Sequence, residues 1–478
     1  MALSEDEKTT LGRLELSLLR QQRRNRVLDA YYNGEQRLEQ LGLAVPPELQ
    51  RFLTIVAWPA TYADAIEERI DLEGFRLPGA SGADEELWRI WQANGLDEES
   101  QLAHLDALVL GRSFIVVGAG DDTPDAPSAE DGDADRDPAM PLVTVESANE
   151  VAVELDPRTR RVVAAAKVYT DRDASGAGVR KATLYLPDRT VWLDRSNARW
   201  EELDRDVHNL GVVPVVPIVN RPRLSRREGR SQFERVIGLT DAAARALTNA
   251  QIATEIMAIP QRYVLGASKG DFVDKDGNVL TTWEAYFGAV WALQNKDAKV
   301  GQFSAADLSN FKTIVDHYAS LVAGLTGLPM RYLGQSTTNP PSAEGIRADE
   351  ARIIKTCERF NRATGGSWEL AMRIVKRFID GGWDPDLARM ETLWRDPATP
   401  TRAQAADAAV KLYTAPGGQR PIVPLRQTRE TLGFSQVQIA RMEEEDAADL
   451  ARDPVLEIAR NLPTQPAAPP EPADAVAG

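Results

Sequence analysis

Apolar positions recur at helical spacing from the N-terminus to about residue 112. They switch to strand-like alternation up to about residue 205, and return to helical spacing from residue 229 onward. In the first block, Leu11, Leu14, Leu18, Leu19, Val27, Leu28 and Tyr31 predict a helix over 5–42, broken at Asn33-Gly34, with Pro46-Pro47 ahead of the next element. Trp58, Tyr62, Ile66 and Ile70 predict a second helix within 48–72, with Pro59 as its start or an early kink. ADEELWRIWQANG and DEESQLAHLDALVLG predict two more over 84–112. Trp88 and Trp91, three apart on one face, are expected to act as packing anchors or subunit-interface residues rather than a ligand cage.

SFIVVGAG (113–120) opens the strand block. PLVTVESANEVAVELD, RRVVAAAKVYTD, ATLYLPDRTVWLDR and RWEELD, separated by turns such as Asp156-Pro157 and Pro187-Asp188, predict an antiparallel meander over roughly 140–205. The prolines of VVPVVPIVNRPRL (212–224) suit an edge strand or a linker.

Residues 229–380 organise the rest. A first helical arm is expected from Ser231, a plausible N-cap, to Pro260, with Val236, Ile237, Ala243, Ala244, Leu247, Ile252 and Ile256 at helical spacing. A second arm begins near 304–307, repeats Leu308, Phe311, Ile314, Val315, Tyr318, Leu321, Val322 and Leu325, and closes at Gly324, Gly327 and Pro329. At about 1.5 Å per residue, such arms run about 30–42 Å. Two short β-prone runs with a Lys-Asp-Gly-Asn turn (271–283) lie between them. The loop 329–341 is too rich in Pro and Gly to be helical as a whole. Ser342 then caps a long helix to about Ile379, with Gly365–Gly366 as a potential kink. Shorter helical pieces follow, and the tail from 461 is disordered by composition.

Composition narrows the chemistry. A net charge of −16 argues against a protein that grips DNA by neutralising many phosphates, but suits one that lets DNA slide past. Against this acidity, RQQRRNR (20–26) and the arginines at 221, 223, 226, 227 and 230 stand out. Each run reads as a solvated face or as a contact to an acidic neighbour, a partner subunit or DNA. Residues 121–139 are almost entirely acidic or small and predict a mobile loop. The single cysteine, Cys357, excludes an internal disulfide, fits a reducing cytosol, and falls on the apolar side of the long helix. No run approaches the roughly 20 apolar residues of a membrane span, and the polar N-terminus lacks a signal core, so the expectation is a soluble, non-exported protein.

Three scattered histidines (His104, His208, His317) and no H-E-x-x-H, G-x-S-x-G or P-loop motif leave no recognisable catalytic or ATPase site. DFVDKDGNVLTTW imitates a calcium loop, but placing Gly277 at its sixth position puts Phe272 and Trp283 where oxygen ligands are required. No cofactor or metal is expected.

GRSQFERVIGLTDAAARAL (229–247), AIPQRYVLG (258–266), GLPMRYLG (327–334) and NPPSAEGIRADEARII (339–354), in this order, resemble the portal proteins of tailed double-stranded-DNA bacteriophages, of the siphophage type. VLDAYYNGEQRL (27–38) and DALVLGRSFIVV (106–117) match more loosely, so the likeness spans most of 25–380. It implies an α+β, mostly helical, portal-type fold with wing, stem, clip and crown regions. On this chain those are a wing over 1–225, stem helices over 226–258 and 305–327, a clip over 259–304, a tunnel loop over 328–342, a long wing helix over 343–385, and a helical crown over 386–460.

The resemblance implies a ring of about twelve subunits at the capsid's portal vertex, assembled in the host cytoplasm. Its expected partners are double-stranded DNA bound without sequence preference, the terminase large subunit, the major capsid and scaffold proteins, and a head-completion adaptor; a membrane is not among them. Arg331, Gln335, Ser336, Thr337, Thr338 and Asn339 would be the tunnel-loop residues. Small uncharged side chains there offer a non-adhesive surface to phosphates, while Arg331 would hold a phosphate or pair with an acidic neighbour. Arg262, Lys269 and Lys275 would meet terminase or adaptor, and Leu247, Phe311 and Leu321 would pack the stem. A ring-forming head–tail adaptor and an enzyme with an unfamiliar site are the competing readings; adaptors are usually far shorter than this chain.

Overall fold

The computed structural model describes residues 3–36, 53–80, 82–120, 140–172, 176, 178–196, 199–257, 262–266, 299–302, 308–335, 342–398, 402–413, 423–434 and 436–451. In chain order the helices are α1 (Glu5–Asn33), α2 (Trp58–Glu67), α3 (Glu85–Ala93), α4 (Leu96–Leu110), α5 (Ile237–Met257), α6 (Ser309–Thr326), α7 (Ala343–Asp380), α8 (Arg402–Tyr413), α9 (Leu425–Thr431) and α10 (Gln436–Ala451). The strands are β1 (Leu72–Arg76), β2 (Arg112–Gly118), β3 (Leu142–Ser147), β4 (Val151–Leu155), β5 (Val162–Arg172), β6 (Gly178–Tyr185), β7 (Thr190–Ser196), β8 (Arg199–Asp206), β9 (Val215–Val219), β10 (Arg262–Leu265), β11 (Lys299–Gln302) and β12 (Glu391–Trp394). The acidic stretch 121–139, the β-prone insert 271–283 with its calcium-loop imitation, and the tail from 461 lie outside the described residues.

Two compact units divide the chain. The first comprises Met1–Glu68, Ser100–Val116 and Val145–Thr364. The second comprises Arg69–Glu99, Val117–Thr144 and Gly365–Gly478.

In the first unit, β4 to β8 form a five-stranded antiparallel meander in sequence order. Helix α1 lies on one face of it, burying Leu11, Leu14 and Leu18 against Ala164, Ala166, Leu184 and Leu193. Alanines on β5 let the helix approach closely. A capping box of Ser4 and Glu7 starts α1, and Gly34, at φ 71°, ends it where Asn33-Gly34 predicts a break. The meander begins later than expected. Strand β3 belongs instead to a three-stranded sheet in the order β3-β2-β9, with Pro217 on its edge strand β9.

Four hydrogen bonds clamp the turn between β3 and β4 to α1. Gln21 donates to Ala148 O and, at 3.3 Å, to Val151 O; Gln22 donates to Asn149 O at 2.6 Å, and Asn25 to Ala148 O at 3.1 Å.

The first arm, α5, starts at Ile237 rather than Ser231. Tertiary contacts take over its expected first turn: Phe233 is fully buried, and Gln232 donates its backbone N–H to Leu108 O at 2.8 Å. The second arm, α6, starts at Ser309, a few residues later than its pattern suggests, and ends at Gly327, in the left-handed region at φ 80°. The two arms pack on each other. Cys357 is buried, with its sulfur 3.8 Å from Ile66 O.

The second unit is built around Trp91. Its ring lies 5.6 Å from Phe75, 4.9 Å edge-on from Trp368, and stacked on the half-buried Trp88 at 5.8 Å, so Trp91 is a packing anchor. An antiparallel pair that the sequence pattern does not announce, β1 with β12, closes this unit. The expected helical crown therefore carries a strand. Helix α7 runs unbroken through Gly365, where a Cβ would sit 3.4 Å from both Thr392 Oγ1 and Trp394 Nε1. That glycine makes room for β12; it does not interrupt the helix.

Candidate functional site

The first unit holds together the roots of both arms and the start of the loop that follows α6. Helix α1 braces α5 through Tyr31, whose hydroxyl donates to Asp241 at 2.8 Å. Thr54 adds a backbone N–H to Thr248 Oγ1 at 3.1 Å. Tyr62 of α2 sits at the centre. Its buried hydroxyl accepts from Gln232 Nε2 at 2.8 Å and donates to Thr326 O at 3.3 Å. Burial pushes the Tyr62 phenol up from its ordinary value, so it stays neutral and can donate.

At the C-terminus of α6, Arg352 of α7 donates to Gly324 O at 2.6 Å and Leu325 O at 3.3 Å, a cation on carbonyls that the helix itself leaves unpaired. The Arg352 stem fills the space beside Gly327, where a Cβ would meet its Cδ at 2.5 Å. Leu328 and Leu333 are buried, and Met330–Leu333 make one 3-10 turn ending at Gly334, φ 80°. Ser342 caps α7 by accepting from Gly345 N at 3.1 Å.

Arg331 pairs with Glu350 of α7, and its guanidinium lies 5.5 Å over the Tyr332 ring. Arg331 thus has an acidic neighbour on α7. Gln335 donates to Asp316 Oδ1 of α6 at 2.5 Å. The start of the loop is thus pinned to both flanking helices. Sequence reasoning missed Glu350, Asp316, Arg352 and Tyr62. All four sit inside helical patterns, their partners lie 19 or more residues away, and no local signal marks them.

Ser336, Thr337, Thr338, Asn339, Lys269 and Lys275 lie outside the described residues. Arg262 opens β10, which pairs with β11 to form the base of the segment joining the arms. Leu247 and Phe311 are half-buried, whereas Leu321 is 43% exposed. Among the described residues no group of His, Cys, Asp and Glu could hold a metal ion.

The family described as "Phage portal protein, SPP1 Gp6-like" matches residues 14–449. The portal proteins of Mycobacterium phages D29 and L5 are each 43% identical to this chain over 424 residues, 88% of this chain and 85% of theirs. More distantly, it is similar to a chain in the virion of a native gene transfer agent particle, at 16% identity and TM-score 0.40 over 83% of this chain and 92% of that one. It is also similar to one in the neck of the empty particle, at 15% identity and TM-score 0.44 over 82% and 94%. A family match from residue 14 to 449, with two phage relatives at that identity along most of their length, shows that the chain belongs to the SPP1 Gp6-like phage portal proteins, structural connectors of head and tail.

Proposed function

We propose that this portal chain assembles head-to-tail into a closed ring of about twelve copies around an axial channel for double-stranded DNA, with α5 and α6 as its stem. The two-sided apolarity of α6 carries this reading. One face, with Ala319, Val322 and Thr326, is buried within the chain. A second, with Ile314, Leu321 and Leu325 in one stripe, is 39–43% exposed. A helix apolar on two faces needs two neighbours, and among the described residues the chain covers one of the two faces.

In this reading the ring sits at the portal vertex of the virion, having formed in the host cytoplasm. It docks the terminase large subunit during packaging, contacts the major capsid and scaffold proteins, and later binds a head-completion adaptor. The loop 328–342 faces the duplex without reading bases. Gln335 and Arg331 then serve to position it, while 336–339 make the contact. The clip residues Arg262, Lys269 and Lys275 face terminase or adaptor. The family is structural, and the energy for translocation comes from the partner motor. Among the described residues no helix is long and apolar enough to cross a membrane.

Native mass spectrometry with negative-stain imaging of the full chain tests the ring. Rings of about a dozen copies with a central hole are expected; a compact dimer with a deep closed cleft overturns the proposal.

A further inference from the structure

The two arginine runs, 20–26 on α1 and 221–230 before α5, are far apart in sequence, yet the fold brings them to one corner at Leu110 and Gly111. Arg24 donates to Leu110 O at 2.9 Å. From the other side, the backbone of Arg230 lies so close that a Cβ on Gly111 would come within 2.8 Å of it. Gly229 abuts the same corner, where a Cβ would sit 2.4 Å from Gly111 O. Arg112, next along, bonds Gln21 of α1 and lies 5.6 Å over the Phe114 ring. Burial holds the Arg24 guanidinium below its ordinary value; repulsion from Arg226 and Arg230 adds to this, and attraction to Glu234 and Glu228 opposes it.

This corner carries more positive charge than it neutralises. Arg226 and Arg230 share one carboxylate, Glu234, each at 3.3 Å. Among the described residues the side chains of Arg20, Arg23, Arg26, Arg223 and Arg227 have no carboxylate within ion-pair distance. Each run also carries exposed apolar side chains. The backbones of Arg223 and Arg226 pair in both directions at 2.9 and 3.0 Å, and Leu224, at the tip of that turn, is 89% exposed. On α1, Leu19 and Val27 are exposed beside Arg20, Arg23 and Arg26.

We propose that this arginine-and-leucine surface docks an acidic face of a second copy of the chain, as one half of the head-to-tail contact. It rests on the ring reading above. Three observations choose this occupant. The two runs contain nine arginines and one glutamate in a chain of net charge −16, so the rest of the chain supplies the counter-charge. A two-fold contact centred on this corner would set arginine against arginine, which leaves the heterologous arrangement. The cations are all arginine, whose planar fork matches carboxylates. Phosphate shares that chemistry, but an arginine surface facing the channel would grip DNA that has to pass, and an exposed Leu224 adds nothing to phosphate binding.

The test uses the full chain with Arg20→Glu, Arg23→Glu, Arg26→Glu and Arg227→Glu combined, and separately Leu224→Ser, with folding checked by circular dichroism. Assembly is followed by native mass spectrometry and sedimentation from about 0.05 to about 0.5 M NaCl. Wild-type rings are expected to dissociate as salt rises. Charge reversal is expected to raise the concentration needed for assembly at least about tenfold, and Leu224→Ser several-fold. The reversed chain keeps its acidic face, so mixing it with wild type should cap growing arcs and leave short open oligomers. Wild-type rings matched by equally stable variant rings overturn this docking face alone. A variant that assembles normally but no longer retards a short DNA duplex assigns the corner to phosphate and overturns the proposal. A wild type that never forms rings removes the ring and this face together.

Discussion

Glu7 fixes where α1 starts and where it lies on the sheet. Its carboxylate accepts from Ser4 N at 2.9 Å, Arg189 Nε at 2.8 Å and Arg205 Nη1 at 2.8 Å. Burial alone would push this carboxyl up; the hydrogen bonds from Arg205, Ser4 and Arg189 outweigh it and hold the group at about 2, below its ordinary 4.5. The stabilisation is therefore complete above about pH 4.5 and is lost as pH falls toward 2. Glu7→Gln should cost about 1–3 kcal/mol at neutral pH, because it removes the buried carboxylate that Arg189 and Arg205 share, while Arg189 keeps Asp188 and Arg205 keeps Glu202. In urea titrations the gap to wild type should narrow steadily below pH 4.5.

Asp106 has the opposite sign. Burial, against hydrogen bonds from Ser147 and Ala148, pushes its carboxyl from 3.8 up to about 6, and nearby Asp29 adds to the rise. The folded chain holds that proton more tightly than the unfolded one. Ionising Asp106 therefore costs nothing below about pH 4, and the cost grows as pH climbs to about 6. Asp106→Asn should raise the thermal midpoint at pH 7, by about 1–2 kcal/mol of stability, and leave it unchanged near pH 4. A variant equally stabilised at both pH values would place the effect elsewhere.

Among the elements, those with strong punctuation were readable in the sequence. Gly34, Gly327, Pro329 and Ser342 mark helix ends because left-handed backbone, a missing N–H or a capping hydroxyl is a local requirement. The start of α5 was not readable, because Leu108 and Tyr62 claim Gln232 from distant parts of the chain. The β1–β12 pair was hidden for a related reason: five residues and four residues meet across more than 300 positions. In the candidate site, the uncharged composition of the loop was visible, but the pairing of Arg331 with Glu350 depends on which helix face α7 turns toward the loop. Gly327 offers a test at this scale. Gly327→Ala forces a side chain into left-handed backbone and into the Arg352 stem, displacing that arginine from the last carbonyls of α6. A loss of about 2–3 kcal/mol in chemical denaturation is expected. A neutral effect would mean that Arg352 moves aside freely.

For the whole molecule, the exposed stripe on α6 separates folding from assembly. Leu321 is 43% exposed, so Leu321→Asp should preserve the secondary structure of the single chain while abolishing rings in native mass spectrometry. Normal rings from this variant would put the subunit contact on another surface. Tyr62 bears on the same scale. The chain takes 94 residues to travel from Gln232 to Thr326, yet one phenol spans them in two hydrogen bonds. Tyr62 thus fastens the segment leading into α5 to the last turn of α6, a rivet at the point where the two packed arms leave the body of the unit.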